Sequence, residues 1–185
     1  MTNHHPSEVT PNLTWMSKAA SRTLAFGFGS GLSPVAPGTA GTLWAWVAFL
    51  LGEYFLSTED FLWIIGGGIL LGCWICGQVS EELGKKDFGG IVWDEIIAFW
   101  LVLIFIMPAS FWMQALAFAL FRFFDAAKPG PIGIIDRHFK KLEGDSNTPS
   151  TIMQTLWRGF GIMVDDLAAA FSTLLIIALT QVLIR

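Results

Sequence analysis

The sequence predicts an all-α integral membrane protein, a helical bundle of about five spanning segments with a Gly/Pro-rich segment at its N-terminal end. The chain has 185 residues, of which 54% are hydrophobic and only 14% are charged. Soluble domains average about 25% charged residues. Five apolar segments of about 17 to 23 residues each follow one another along the chain, which is the length of a helix that crosses about 30 Å of hydrocarbon.

The predicted spanning segments are residues 38–56, 61–79, 91–107, 111–127 and 162–184. The third and fourth are separated by only Pro108, Ala109 and Ser110, so they must form an antiparallel hairpin. Residues 1–23 are polar and lack the basic-then-apolar order of a cleavable signal peptide, which predicts a flexible N-terminal tail. Residues 24–185 then form a single membrane-embedded domain.

Residues 24–42 contain seven glycines or prolines and four hydroxyl side chains. This composition suits a re-entrant or interfacial loop, because glycine permits close backbone approach and proline fixes turns. The free N–H groups of such a loop, with the hydroxyls of Ser30, Ser33 and Thr39, could bind an anion. Close packing of helices through small residues explains the same composition, and both interpretations remain open at this point.

The loops alternate in charge, and this alternation predicts the topology. Lys and Arg residues precede the first span, lie between the second and third, and lie between the fourth and fifth, whereas the two intervening loops contain none. By the positive-inside rule, the N-terminal tail and the two basic loops are cytoplasmic. The same alternation places the charged ends of three spans on the cytoplasmic side.

Those charged ends carry the candidate catalytic, metal-binding and substrate-binding residues. The third span begins with paired acids, the fourth ends in two bases and an acid, and the fifth begins with paired acids; the residues are Asp94, Glu95, Arg122, Asp125, Lys128, Asp165 and Asp166. Carboxylates that share one surface repel one another unless a cation lies among them, and hard oxygen ligands suit Mg²⁺. Arginine and lysine beside such a site could hold a phosphate. Together these groups indicate phosphoryl chemistry.

Other classes of function fit less well. The net charge is −4 and no basic stripe is present, so we expect no nucleic-acid partner. A small ion-coupled transporter would also use clustered acids and a glycine-broken segment, but here the acids lie at one face and no inverted repeat is visible. A structural membrane scaffold does not require clustered charges.

Four motifs resemble the bacterial phosphatidylglycerophosphatase A family. They are FGFGSGLSPVAPGT at 26–39, GIVWDE at 90–95, FRFFDAAKP at 121–129 with Pro131, Ile132, Asp136 and Arg137, and GIMVDDL at 161–167. The segment 140–155 is longer than the usual connection in that family. The resemblance implies Mg²⁺-dependent hydrolysis of phosphatidylglycerophosphate to phosphatidylglycerol and phosphate. It also implies a multi-pass protein of the bacterial cytoplasmic membrane whose active site faces the cytoplasm.

We combine the resemblance with the charge pattern to assign expected roles. Mg²⁺ is held by four acids, namely Asp94, Glu95, Asp165 and Asp166. Asp125 serves as a further ligand, a base or a nucleophile. Arg122 and Lys128 bind the phosphate of a phospholipid substrate, with Ser30, Ser33 and Thr39 as further substrate contacts.

Overall fold

The computed structural model of the chain describes residues 10–85, 88–128 and 151–183, and every regular element within these ranges is helical. The prediction of an all-α fold is therefore confirmed for the described residues. In chain order the α-helices are α1 (Leu13–Met16), α2 (Ala20–Ala25), α3 (Pro37–Gly52), α4 (Thr58–Leu83), α5 (Trp93–Ile106), α6 (Phe111–Ala127) and α7 (Ile152–Leu183), and a 3₁₀ segment at Gly27–Leu32 separates α2 from α3.

Two of the described helices, α4 and α7, are long and apolar enough to cross a membrane. With 26 and 32 residues, they measure about 39 and 48 Å at 1.5 Å per residue. The other three helices of the bundle, α3, α5 and α6, have 16, 14 and 17 residues. Helix length and composition therefore support two of the five predicted spans.

Helix α5 is the centre of the bundle. It packs against α3, α4, α6 and α7, and the side chains of Ile97, Phe99, Val102 and Leu103 along it are completely buried. An apolar sequence on all faces is typical of a helix that neighbours surround on most sides. The two residues that break this pattern, Asp94 and Glu95, both lie in its first turn.

Helices α4 and α7 touch backbone to backbone. A Cβ atom on Gly159 would overlap the carbonyl oxygen of Cys73, and a Cβ on Gly77 would overlap the carbonyl oxygen of Thr155. Further along α4, Gly72 makes room for Met163 of α7 and for Trp93 of α5. Glycines on one helix face allow this close approach, and they determine how α7 is aligned along α4.

The folded domain begins earlier than the sequence predicts. Within the segment expected to be a flexible tail, Leu13–Met16 and Ala20–Ala25 are helical and Met16 is buried. The Nε atom of Arg22 lies 2.7 Å from Glu82 Oε2 at the end of α4, and its guanidinium stacks over the Trp15 ring. The tail prediction is therefore wrong from Leu13 onward, because these contacts tie the segment to α4. Residues 1–9 lie outside the described part of the chain.

The Gly/Pro-rich segment folds into a 3₁₀ segment and a turn, followed by the start of a helix. Its first half forms the 3₁₀ segment and a surface turn, with left-handed backbone at Gly27, Phe28, Gly29 and Ala36. Its second half is the start of α3, where Pro37 occupies the first turn. Close packing through small residues also occurs, since a Cβ on Gly31 would overlap the Gly90 carbonyl oxygen.

Most predicted helix boundaries lie within a few residues of the observed ones. Helix α6 coincides with the predicted 111–127, and the short α5–α6 connection makes the expected hairpin. The exception is α7, which begins at Ile152 and not at residue 162. Its first turns carry polar residues such as Thr155 and Arg158, which contact Glu81 of α4. Because these first turns bury polar side chains against α4, they contain no continuous apolar run. Hydropathy alone therefore does not predict that this part of α7 is helical.

Candidate functional site

The candidate site lies where α5 begins and α6 ends, beside the middle of α7. Gly72 of α4 lies against Trp93 of α5 and Met163 of α7, so these three residues are at the same height in the bundle as the site. From there α4 continues for 11 residues to Leu83 and α7 extends back 11 residues to Ile152, about 16 Å in each case. The site is therefore recessed between two helices that project past it. This corrects the expectation that Asp165 and Asp166 open the last helix, because α7 begins 13 residues before Asp165.

Three carboxylates from three helices converge at this site. One oxygen each of Glu95 on α5, Asp125 on α6 and Asp166 on α7 lies within 4.8 Å of the other two. Oxygens on opposite sides of an octahedral Mg²⁺ ion lie about 4 Å apart, given metal–oxygen distances of about 2.1 Å. The spacing of the three groups therefore fits a magnesium ion with little adjustment.

The burial of the cluster strengthens the case for a cation. Asp166 is only 3% exposed and Glu95 is 9% exposed. Asp166 Oδ2 and Glu95 Oε2 are buried with no hydrogen-bond partner within the described residues. Buried carboxylate oxygens are costly unless they are paired, hydrogen-bonded or bound to a metal. The donor set, all hard oxygen, is the one that Mg²⁺ prefers.

Arg122 supplies positive charge at the edge of the cluster. It lies three residues before Asp125 on α6, so the two side chains share a helix face. Its Nη1 atom donates to Glu95 Oε1 at 2.8 Å and also to Asp125 Oδ2. Its Nε–H is buried and has no partner among the described residues. One edge of the guanidinium thus binds the acids, while a donor on its other edge is available to an anionic oxygen.

Lys128 brings a second positive charge to the site. It is the C-cap of α6 and has a left-handed backbone with φ of 41°, an uncommon conformation for a residue other than glycine. Its Nζ atom donates to Asp165 Oδ2 at 2.9 Å. The strained backbone is thus found at the residue whose side chain reaches the site.

The adjacent acids separate as helical geometry requires. Successive residues on an α-helix point about 100° apart, so Asp166 joins the three-carboxylate cluster while Asp165 pairs with Lys128. At the start of α5, Glu95 joins the cluster, and the buried Asp94 lies close to Asp166 and to Cys76 of α4. All seven charged candidates are thus gathered at one place, in two adjoining groups.

Gly38, a residue that the sequence analysis did not select, lies directly against the site. A Cβ atom there would overlap Glu95 Oε1 and come within 2.9 Å of Arg122 Nη2. It lies in the first turn of α3, where backbone N–H groups have no partner within the helix. The first turn of α3 therefore lies against the acids at Gly38, and Thr39 follows in the same turn. The Pro-Gly-Thr sequence at a helix start was the available signal.

The two predicted serines are used within their own loop. Ser30 Oγ donates to the Gly27 carbonyl at 2.8 Å, and Ser33 Oγ donates to the Val35 carbonyl at 2.8 Å. These bonds hold the turn that leads into α3. The residues Pro131, Ile132, Asp136 and Arg137, which accompany the motif at 121–129, lie outside the described residues.

A second polar group, also absent from the sequence predictions, joins the projecting ends of the helices. Glu81 accepts from Thr155 Oγ1 at 2.8 Å and lies 3.6 Å from Arg158 Nη1. Glu82 pairs with Arg22 and accepts from Gln78 Nε2 at 3.1 Å. These contacts fasten α2 and α7 to the end of α4, next to the glycine crossing. They hold the helix that carries Asp165 and Asp166.

Comparison of the sequence with known proteins identifies a family. Residues 23–144 match the family model described as phosphatidylglycerophosphatase A. This range includes α3, α5 and α6 with their site residues, while the two acids of α7 lie beyond it. No solved structure matches the chain.

Three curated relatives cover most of the chain. A protein of Haemophilus influenzae named phosphatidylglycerophosphatase A is 39% identical over 158 residues, covering 85% of this chain and 86% of the relative. An Escherichia coli K12 protein of the same name is 38% identical over 147 residues, covering 79% and 74%. A Bacteroides thetaiotaomicron protein named putative phosphatidylinositol-3-phosphatase is 31% identical over 161 residues, covering 84% and 89%. The extent of these matches shows that the chain belongs to the phosphatidylglycerophosphatase A family.

Proposed function

We propose that this protein is a membrane-embedded, Mg²⁺-dependent phosphatase that hydrolyses phosphatidylglycerophosphate to phosphatidylglycerol and phosphate at the cytoplasmic face. One observation supports the chemistry above all others. Three carboxylate oxygens from α5, α6 and α7 meet within 4.8 Å, with Arg122 in contact with two of these carboxylates. The names of two relatives supply the substrate.

The distribution of apolar side chains supports five membrane helices. Besides α4 and α7, the shorter helices expose large apolar residues on their outer faces, namely Leu43, Val47 and Leu51 on α3 and Trp112, Leu116 and Phe123 on α6. Exposed apolar surface on this scale indicates a nonpolar surrounding. Helix α5 exposes one large apolar side chain, Phe105 near its end, because the other four helices surround most of it. In this arrangement the site lies at the membrane surface, where the phosphate of a lipid lies.

Each charged residue then has a role that fits its position. Glu95, Asp125 and Asp166 hold Mg²⁺, with Asp94 and Asp165 beside them. Bound Mg²⁺ would neutralise charge on the phosphate and help to orient it. The free Nε–H of Arg122 and the amino group of Lys128 bind phosphate oxygens, and the unpaired N–H groups at the start of α3 add further donors. In the net reaction a water oxygen forms a bond to phosphorus and the bond between phosphorus and the glycerol oxygen breaks. The hydroxyl of the water leaves with the phosphate, and its proton goes to the glycerol oxygen.

Phosphate release by the purified protein tests the proposed function. With phosphatidylglycerophosphate in mixed micelles, we expect release that requires Mg²⁺, stops with EDTA and returns when Mg²⁺ is added in excess. Phosphatidylinositol-3-phosphate should be included as a second substrate, because one relative is named for that lipid. The absence of phosphate release from both lipids at saturating Mg²⁺ would refute the proposal.

The orientation in the membrane can be tested by cysteine labelling. Ser17 and Glu59 are both exposed, near the start of the folded domain and in the first turn of α4. In a variant without Cys73 and Cys76, Ser17→Cys should be shielded from an impermeant thiol reagent in intact cells, whereas Glu59→Cys should react. The charge alternation of the loops requires this result. The reverse labelling would place the site on the outer face.

An ion-coupled transporter, the alternative from the sequence, finds no support in the relatives, which are named as phosphatases. The geometry also differs from that of a transporter. Glu95 and Asp125 lie at the first turn of α5 and the last turn of α6, and Asp166 meets them from the middle of the continuous helix α7. Transporter sites lie near the middle of the membrane between discontinuous helices.

A further inference from the structure

Phe28 combines two unfavourable features that call for an explanation. Its backbone is left-handed, with φ of 55°, and its side chain is 54% exposed. For a bulky residue that backbone conformation is an outlier. Burial of the side chain does not offset this backbone strain, because about half of the side chain is exposed. Strain of this kind is often found at functional sites.

The ring of Phe28 stacks on Trp44 of α3, with the ring centroids 5.2 Å apart and the planes 23° apart. Gly27 helps to hold this geometry, because any side chain there would collide with Val92 and Ile96 of the α5 start. The two rings thus form one stacked aromatic pair beside α3, and the Phe28 ring is the more exposed of the two. We call this pair the Phe28–Trp44 platform.

The indole N–H of Trp44 differs from those of the three tryptophans that face the interior of the bundle. The indoles of Trp46, Trp93 and Trp100 donate to Gln114, to the Gly68 carbonyl and to the Ala45 carbonyl, at 2.7 to 2.9 Å. Trp44 makes no such bond to any described residue. Tryptophan with an apolar ring and a free N–H favours the boundary between hydrocarbon and lipid headgroups.

The platform also lies at a defined depth below the candidate site. Gly38 touches the Glu95–Arg122 pair, and Trp44 follows it by six residues along α3, about 9 Å. Each headgroup region of a bilayer is about 5 to 8 Å thick. A lipid whose phosphate lies at the Glu95–Arg122 pair therefore has its ester groups and the first acyl carbons at the depth of the platform.

We propose that the Phe28–Trp44 platform binds the ester and upper acyl region of the phospholipid substrate, and so positions its phosphate at the site. This inference rests on the proposed phosphatase function. Phe28 contacts the acyl chain, and the Trp44 N–H donates to an ester carbonyl. The platform acts on substrate binding and takes no part in the chemical step.

Acyl chain length provides the test. Phosphate release should be measured with phosphatidylglycerophosphate bearing long acyl chains in mixed micelles, and with its dihexanoyl form free in solution. We expect Phe28→Ala to lower kcat/KM for the long-chain lipid by about tenfold, the effect of losing one partly buried aromatic contact. For the dihexanoyl substrate, which lacks most of that contact, we expect a change of less than about twofold. Phe28→Trp should restore long-chain activity.

Phe55 offers a matched control. It is 87% exposed and follows the opposite end of α3, so Phe55→Ala removes an aromatic ring that is more exposed than that of Phe28 and lies far from the site. We expect it to leave kcat/KM unchanged for both substrates. If Phe55→Ala reproduces the long-chain defect, the rings serve only as general membrane anchors and the inference is wrong.

Two further outcomes would also overturn the inference. One is an equal loss on both substrates in Phe28→Ala, and the other is no loss on either. Trp44→Phe keeps the stacked ring and removes only the N–H, so it should raise KM for the long-chain lipid without changing kcat. Failure of the proposed function is distinguishable, because the unaltered protein would then release no phosphate from either substrate.

Discussion

Asp166→Asn is expected to lower Mg²⁺-dependent phosphatase activity by at least about a hundredfold, since even residues that only support metal ligands typically contribute 10- to 100-fold. Asp166 is the most buried of the charged site residues, and one of its oxygens has no partner among the described residues. Asparagine keeps the shape of the side chain but removes one anionic oxygen from the cluster. Activity should recover partly when the Mg²⁺ concentration is raised, as expected for a weakened ligand set.

A measurement that does not depend on activity separates a metal ligand from a structural acid. In EDTA, Asp166→Asn should unfold at the same temperature as the unaltered protein or higher, because the substitution removes a charge that repels Glu95 and Asp125. Mg²⁺ at 100 times its Kd should stabilise the unaltered protein by about 2.7 kcal/mol, and this gain should be lost in the variant. Glu59→Gln, an exposed acid at the opposite end of α4, is the control. Full Mg²⁺ stabilisation of Asp166→Asn would exclude Asp166 as a ligand.

Gly159→Ala is expected to destabilise the protein by about 1 to 3 kcal/mol or more, the range found when a well-packed interior is overfilled. The added Cβ would overlap the Cys73 carbonyl oxygen and lie 2.9 Å from the Gly77 nitrogen. Both are backbone atoms of α4, so no side-chain rotation can relieve the collision. Because Asp166 follows on the same helix, movement of α7 away from α4 should also weaken Mg²⁺ binding.

Gly66→Ala and Gly67→Ala are the matched controls for this change. Both glycines lie within α4, and a Cβ built on either would meet no described atom within 4 Å besides its sequence neighbours and the adjacent helix backbone. Alanine favours a helix over glycine by up to about 1 kcal/mol, so these variants should melt at the same temperature or higher. Thermal unfolding in detergent, followed by circular dichroism, gives the comparison. Equal stability of Gly159→Ala and Gly66→Ala would show that the α4–α7 crossing is looser than the structure indicates.

The amino-acid sequence by itself determined the class of the fold and the chemical character of the site. Apolar segments with polar ends predicted all-α structure, and residues 111–127 were identified with the boundaries that α6 has. The charged candidates were all visible because ionisable side chains are rare next to long apolar segments. The motifs around Asp94, Arg122 and Asp166 also indicated the family. Each of these signals is local, so it can be recognised without knowledge of how the helices pack.

Only the tertiary structure decided which of these side chains meet. Glu95, Asp125 and Asp166 are separated by 30 residues or more along the chain, so their distances depend on how three helices are aligned. The sequence offered Asp165 and Asp166 as equals, but adjacent residues of a helix diverge by about 100°. The backbone contacts at Gly77 and Gly159 determine the position of α7 on α4, and with it the direction of each acid. The early start of α7 and the contact of Gly38 with the site also depend on how the helices pack. Local hydropathy carries no information about such contacts.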